Sequence, residues 1–301
     1  MNEKIINSIK ILTNVYYDLQ SERIDLDGKL SIKKNGDEKK HSREVDEGLL
    51  SALAEHRANT LALEEAILHG EKSRKSIDPK TGKTITIKGN KEYCLATIVH
   101  EHPLWKNFLC GIKGLGEMMA AVIMSEFDIR KADTVSKLWS YAGLNPGMIR
   151  GKKTIKITSK TDMSKVIREY VNKTGVRTGI IVSDEMVRGD KKTPGYVCPF
   201  NAGLRSKLIG VLGSGFLKAK SPYAEFYYNM KQRLESENWG MESKNPVNKA
   251  RAKAGHQHAA AMRYMVKMFL KDLYVAWRTL EGLPVREPYQ EEYLRKKHAI
   301  A

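Results

Sequence analysis

Apolar positions recur at helical spacing from Arg43 to Ser73, where Val45, Leu49, Leu50, Leu53, Leu61, Leu63, Ala66, Ile67 and Leu68 stand among charged residues with no proline between them. This spacing predicts one long amphipathic helix. A helix of that length with a single apolar stripe needs a partner, so it is expected to pack on another helix, including one from a second copy of the chain. Ahead of it the pattern predicts a short helix at the start, then a charged loop or short hairpin through residues 21–40. Beyond it, Pro79, Gly82 and Gly89 flank the alternating Thr84-Ile85-Thr86-Ile87, which reads as a turn, a short strand and another turn.

Residues 93–150 predict a helix, a tight glycine turn, and a second helix starting near Glu117. The next fifty residues mix a short β-like run, an amphipathic helix around Met163–Asn172 and a second β-branched run, Gly179–Ser183, so residues 151–200 are expected to form an α+β insertion. Helical patterning returns from Asn201 to Leu280, with breaks near Ser221-Pro222 and around residues 237–246. Within it Met262, Met265, Val266, Phe269, Leu270, Leu273 and Trp277 form a core stripe. The fold class is therefore mainly α.

Composition sharpens this picture through charge. The 301 residues hold 52 Lys+Arg against 35 Asp+Glu, a net charge of +17, so a polyanion is the first partner to consider. The surplus is one-sided. Residues 1–129 carry 19 basic and 20 acidic side chains, residues 130–200 carry 15 and 6, and residues 201–301 carry 18 and 9. A field concentrated on one part of the chain collects phosphates. No stretch reaches the roughly 18 apolar residues of a membrane span, and the start of the chain is too polar for a signal peptide. Cys94, Cys110 and Cys198 make no CxxC pair, which fits free thiols in a reducing cytoplasm.

The sharpest local signal is Gly111-Ile112-Lys113-Gly114-Leu115-Gly116-Glu117-Met118-Met119-Ala120. Glycines on either side of Leu115 stand immediately before a helix, where uncovered backbone N–H groups and the positive end of the helix dipole would seat a phosphate. Lys113 is placed to add a charge contact, Leu115 to plug the turn into the core, and Ala120 to let two helices approach. This is the helix-hairpin-helix pattern, and its competing interpretation is a simple tight turn between packed helices. A Walker A loop is excluded because no GK[ST] follows, and the glycines do not give the dinucleotide G-x-G-x-x-G.

The block from Leu109 to Gly147, through Ala120-Ala121, Ser125-Glu126, Asp128-Ile129-Arg130 and Tyr141-Ala142-Gly143-Leu144-Asn145-Pro146, resembles the central segment of the insertion-sequence transposases of the IS-one-ten family. A second block, Asn201-Ala202-Gly203-Leu204-Arg205-Ser206-Lys207-Leu208 with Ser221-Pro222-Tyr223 and Phe226-Tyr227-Tyr228, is similar to that family's C-terminal segment. The resemblance implies DNA as partner, duplex or branched, and extends to a structured RNA. Family members begin with a RuvC-like domain whose four acids bind magnesium. Residues 1–90 show no counterpart, Asp18, Asp25 and Asp27 standing in polar, turn-like sequence, so no metal site and no cofactor is expected. Asp184-Glu185 reads as a turn rather than a metal ligand pair.

By the same resemblance, the family's nucleophilic serine is carried to Ser214, the only serine between Ser206 and Ser221. Its rival role is that of a small residue between two glycines at a helix crossing. Arg205, Lys207, Lys218 and Lys220 are candidate phosphate donors around it, but no base is apparent. Arg251 and Lys253 extend the basic surface along a helix on which His256 and His258, two residues apart, diverge too far to share a metal. The expected organisation is an oligomerisation region at 1–92, a helix-hairpin-helix domain at 93–150, a basic insertion at 151–200 and a transposase-like helical domain at 201–301. Two functions remain in play for this cytoplasmic, nucleoid-associated homo-oligomer: a DNA-binding transposase relative with or without Ser214-dependent strand transfer, and a structural or regulatory protein that binds DNA or RNA.

Overall fold

The computed structural model of the chain describes residues 3–30, 47–71, 74–77, 84–87, 91–92, 94–159, 161–172, 174–240 and 249–286. Helices dominate, as the sequence pattern leads one to expect. The chain divides into two compact units, Met1–Gly111 with Gly116–Phe127, and Ile112–Leu115 with Asp128–Ala301.

In the first unit, α1 (Glu3–Lys29) is a 27-residue helix, which corrects the expected short helix followed by a loop from residue 21. The rest of that expected loop, 31–40, lies outside the described residues. The second helix, α2 (Glu47–His69), is the long helix that the apolar spacing predicts, and α1 supplies its partner. The seam is not the stripe of leucines, however. Thr60 and Glu64 are buried on α2 while Leu61 and Leu63 are exposed, and Ile9, Thr13 and Leu26 are buried on α1. Arg23 reaches Glu64 at 2.6 Å and Asp27 at 3.4 Å, and Arg57 also bonds Asp27, so partners run in opposite directions along an antiparallel pair. A carboxylate as buried as Glu64 needs its cation, which fixes the register of the two helices. That pairing is invisible to a pattern that counts only apolar positions.

A hairpin follows: β1 (Arg74–Ile77) pairs antiparallel with β2 (Thr84–Ile87), so the expected strand has a partner that the sequence pattern did not disclose. The helix before the glycine turn is broken into α3 (Leu95–Glu101) and α4 (Pro103–Asn107). Pro103 lacks the N–H that would continue α3, and the His102 ring accepts the Leu104 N–H at 3.1 Å, capping α4. A 3-10 turn, Leu109–Gly111, then leads toward α5 (Glu117–Glu126), whose residues Met119–Met124 are all buried and which packs on α1 and α3.

The second unit is organised on α10 (Lys249–Leu280). Its stripe Met262, Met265, Val266, Phe269, Leu270, Leu273 and Trp277 is buried, as the spacing predicts. Helices α9 (Tyr223–Ser236) and α6 (Val135–Tyr141) pack against it. Phe269, Phe216 and Tyr223 form an aromatic cluster with ring centroids 5.2 to 5.5 Å apart. Buried Arg278 donates to the carbonyls of Ile129, Ala132 and Pro284 at 3.1, 2.7 and 2.6 Å, and the Tyr274 hydroxyl donates to Asp133 O at 2.7 Å. These bonds satisfy a loop that has no helix or strand of its own to pair it.

Residues 148–188 hold the strands of the expected α+β insertion but not its helix. They form a three-stranded antiparallel sheet, β3 (Met148–Lys156), β4 (Val166–Val171) and β5 (Arg177–Arg188), in the order β3-β5-β4. The helix expected around Met163–Asn172 is a single 3-10 turn, Met163–Lys165, capped by Asp162, followed by β4. Val166, Ile167 and Val171 are β-branched, and pairing with β5 outweighs a weak helical period that had no buried face to support it.

Candidate nucleic-acid interface

The turn that the sequence singles out is formed by residues in different conformations. Gly114 has φ +87, a left-handed value that a side chain would strain, whereas Gly116 is extended at φ −97 and serves as N-cap of α5. A Cβ on Gly114 would lie 2.5 Å from the Gly215 carbonyl oxygen, and one on Gly215 would lie 2.6 Å from the Gly114 carbonyl oxygen. The two glycines therefore meet backbone to backbone. Gly111 and Gly116 have nothing within 4 Å of a would-be Cβ. The face over Gly114 is thus occupied by another segment, and the open backbone lies at Gly116, where no side chain caps α5.

Leu115 is buried, as expected for the plug of the turn, and Lys113 is exposed. Glu117 opens α5 and pairs with His100 at 3.2 Å, which places one carboxylate beside the open N-terminus. Ala120 is fully buried.

The opposite side of the glycine contact belongs to one continuous helical run. Helix α7 (Ala202–Ser206) passes into a π-helical stretch, Lys207–Gly213, and then into α8 (Ser214–Lys218). Wide turns of this kind are rare inside α-helical runs and are frequently found at functional sites. Ser214 is the first residue after the wide turns and the direct neighbour of Gly215. It is half-buried, its N–H donates to Val211 O, and its hydroxyl takes part in no hydrogen bond among the described residues. Gly213, on its other side, packs on α10: a Cβ there would sit 2.7 Å from the Met262 methyl, the end of a flexible side chain.

The basic candidates are dispersed. Lys218 and Lys220 are exposed at the end of α8, Lys220 with φ +50. Lys207 is half-buried in the π stretch. Arg251 is exposed on the first turn of α10, and Lys253 reaches Asn238. Arg205 bonds the Asp190 carbonyl and lies over the Phe200 ring, 4.8 Å from its centroid. Tyr227 shares a 2.7 Å hydrogen bond with His258, which ties α9 to α10. Burial holds the Lys267 ammonium below its ordinary pKa, 4.2 Å from the centre of the Trp139 ring.

Two sets of residues escaped the sequence reading. On the sheet, register sets Lys152, Lys156, Arg168 and Tyr170 on one face, because they pair with Val182, Thr178, Ile180 and Thr178 of β5. Lys153 turns to the other face and meets Glu185 at 2.8 Å, which also receives the Tyr196 hydroxyl; this pairing occupies the carboxylate of Asp184-Glu185 nearest a cation. Strand register was the missing signal, since a basic run has no faces until its partners are known. Ser221, just before α9, is also buried, and its hydroxyl has no partner among the described residues. Among the described residues no three of His, Cys, Asp and Glu gather as metal ligands, and no helix is long and apolar enough to cross a membrane.

Fold and site define a mainly α protein in which a glycine turn docks on a helical run inside a strongly basic unit. Residues 106–177, from α4 through the turn, α5, α6 and the first strands of the sheet, match the model of the Transposase IS116/IS110/IS902 family. The family resemblance carried by Leu109–Gly147 is borne out, and the match supports a transposase or recombinase role. The second block, Asn201–Tyr228, lies beyond the matched residues. Neither a curated protein nor a solved structure matches the chain.

Proposed function

We propose that this protein is a DNA-binding transposase relative that holds DNA phosphates at the start of α5 and on the basic surface of its second unit. The observation that carries the reading is the Gly114–Gly215 contact: a turn and a serine-bearing helical run, each singled out separately in the sequence, lie against one another. Lys113 and the uncapped N–H groups after Gly116 are the phosphate donors, with Arg205, Lys207, Lys218, Lys220, Arg251 and Lys253 extending the basic surface. The cationic sheet face Lys152, Lys156 and Arg168 adds to the same field. A helix-hairpin-helix at 93–150, a homo-oligomer, a structured RNA partner and residence at the nucleoid belong to this proposal.

Strand transfer through Ser214 is the alternative that the same contact favours, because Gly114 of the turn lies against Gly215, the direct neighbour of that serine. It lacks a base, since no hydrogen bond activates the hydroxyl, so binding without chemistry is the primary reading.

Binding to duplex, branched and single-stranded DNA at about 150 mM salt tests both. Gly116→Asp is the informative variant. Aspartate is a preferred N-cap and the site has room for it, so it should hold or raise thermal stability while placing a carboxylate in the phosphate seat. Weakened binding with an unchanged or higher Tm supports the reading; unaltered binding removes α5 from the interface. A covalent adduct that Ser214→Ala abolishes would establish strand transfer.

A further inference from the structure

The sheet face that carries Lys152, Lys156, Arg168 and Tyr170 has a defined layout. Directly opposed residues of an antiparallel pair stand on the same side of the sheet, so the pairing across β3, β5 and β4 writes this face as rows. One row runs Lys156, Thr178, Tyr170, and the next runs Thr154, Ile180, Arg168. Lys152 opposes Val182 beyond them. Four residues along β3 set Lys152 and Lys156 about 13 Å apart, and Arg168 lies two strands away from β3, about 10 Å across the sheet.

The face is open and of one sign. Lys152, Thr154, Lys156, Arg168, Tyr170 and Val182 are all exposed. The side chains of Lys152, Lys156 and Arg168 make no hydrogen bond or ion pair among the described residues. The acids of the three strands are spent elsewhere. Glu169 opposes Gly179 on the other face, where Arg177 holds it. Glu185 is held by Lys153 at 2.8 Å, and together with Asp184 it falls in the register break between the Lys152–Val182 and Arg150–Met186 pairs. Cations that hold no carboxylate of their own keep their donors for an anion from outside.

The uncharged members of the rows decide which polyanion fits. Thr178 is small and buried, its hydroxyl donating to Val176 O at 3.0 Å, so it forms a low point between the Lys156 stem and the Tyr170 ring. Ile180 and Val182 continue this apolar floor. A duplex could use only the cations here, because its paired bases cover one another's faces. An unpaired base can stack on the tyrosine ring while the phosphates beside it meet the ammonium and guanidinium groups. We infer that this face is a docking surface for single-stranded DNA, with Tyr170 stacking a base and Lys152, Lys156 and Arg168 holding the phosphodiesters around it. Three strands are also few for a sheet with an uncovered apolar floor, and a ligand that covers Ile180 and Val182 adds their burial. That the strand is DNA rests on the DNA-binding reading above; that the face takes unpaired bases does not.

The test measures binding of the full chain to a fluorescent single strand and to its duplex, at about 150 mM salt and across a salt series. Tyr170→Ala should weaken the single strand about tenfold, keep the duplex within about twofold, and leave the salt slope as it is. Tyr170→Phe, which retains the ring, should bind the single strand as the wild type does. Lys156→Gln should make the single-strand slope shallower by about 0.7. Being at an exposed position, it also decides the matter if Tyr170→Ala folds poorly: an unchanged slope overturns the surface. Single-strand affinity that Tyr170→Ala leaves unchanged, or a loss equal on single strand and duplex, overturns it too, and the DNA reading stands if Gly116→Asp still weakens duplex binding. Tighter, Tyr170-dependent binding of a single-stranded RNA of the same sequence overturns DNA as the occupant. Tyr170-dependent binding of the single strand when no duplex binds at all keeps this surface and overturns the phosphate seat at α5.

Discussion

Gly114 and Gly116 show how far residue identity alone can mislead about role. Both read as donors of free backbone to a phosphate, yet one is consumed by a backbone contact and only the other is open. The difference is measurable. Gly114→Ala must accept a positive φ and a Cβ 2.5 Å from Gly215 O, so a loss of about 2 kcal/mol or more is expected in denaturant unfolding. Gly116→Ala, in open extended backbone, should change stability by well under that amount. Equal effects at the two positions would remove the Gly114–Gly215 contact as a structural determinant. Ser221 carries a smaller expectation at the same scale. Its buried hydroxyl has no partner among the described residues, so Ser221→Ala should be neutral or slightly stabilising by thermal melting.

At the scale of elements, α10 acts as the spine of its unit through side chains that leave the apolar stripe. Trp139 of α6 donates its ring N–H to Lys267 O at 3.2 Å while the Lys267 ammonium lies over the same ring. Burial lowers the pKa of that ammonium in the folded protein below its unfolded value near 10.5. Between the lowered value and 10.5 the unfolded chain binds more protons, so this residue makes stability rise with pH across that window and is a cost below it. Lys267→Met keeps the backbone bond and the packing. It should therefore be at least as stable as wild type at pH 7, with the advantage shrinking as pH climbs toward 10.5 in paired melts. A constant difference across that range would mean that the ammonium is not desolvated. Helix α9 and the sheet differ in legibility for a related reason. Tyr223–Ser236 has a period of its own, whereas β4 owes its state to β5 and could only be recognised once that partner was in place.

For the whole molecule, the distribution of charge decides where ligand should act. Residues 1–129 are close to neutral in net charge and the surplus lies beyond them. Hydrogen exchange with and without a duplex should then show new protection at residues 112–119, on the 148–188 sheet and along α7–α8, with α1 and α2 unchanged. Protection of α1 and α2 instead would move the interface to the unit whose seam is held by Arg23 and Glu64.

Much of this protein is written in the sequence in a form that needs no fold. The spacing of Met262–Trp277 determined the core face of α10, the glycines determined where α5 begins, and the block at 109–147 carries the resemblance to the family whose model matches residues 106–177, because each depends on neighbours a few residues away. Other features exist only in three dimensions. Glu64 is buried because Arg23 crosses from another helix; Val166–Val171 is a strand because β5 lies beside it; Gly114 is filled because Gly215 arrives. Periodicity reports which side of an element is buried. It carries no information on what buries it, and charge pairing, strand register and close backbone approach are all properties of that second partner.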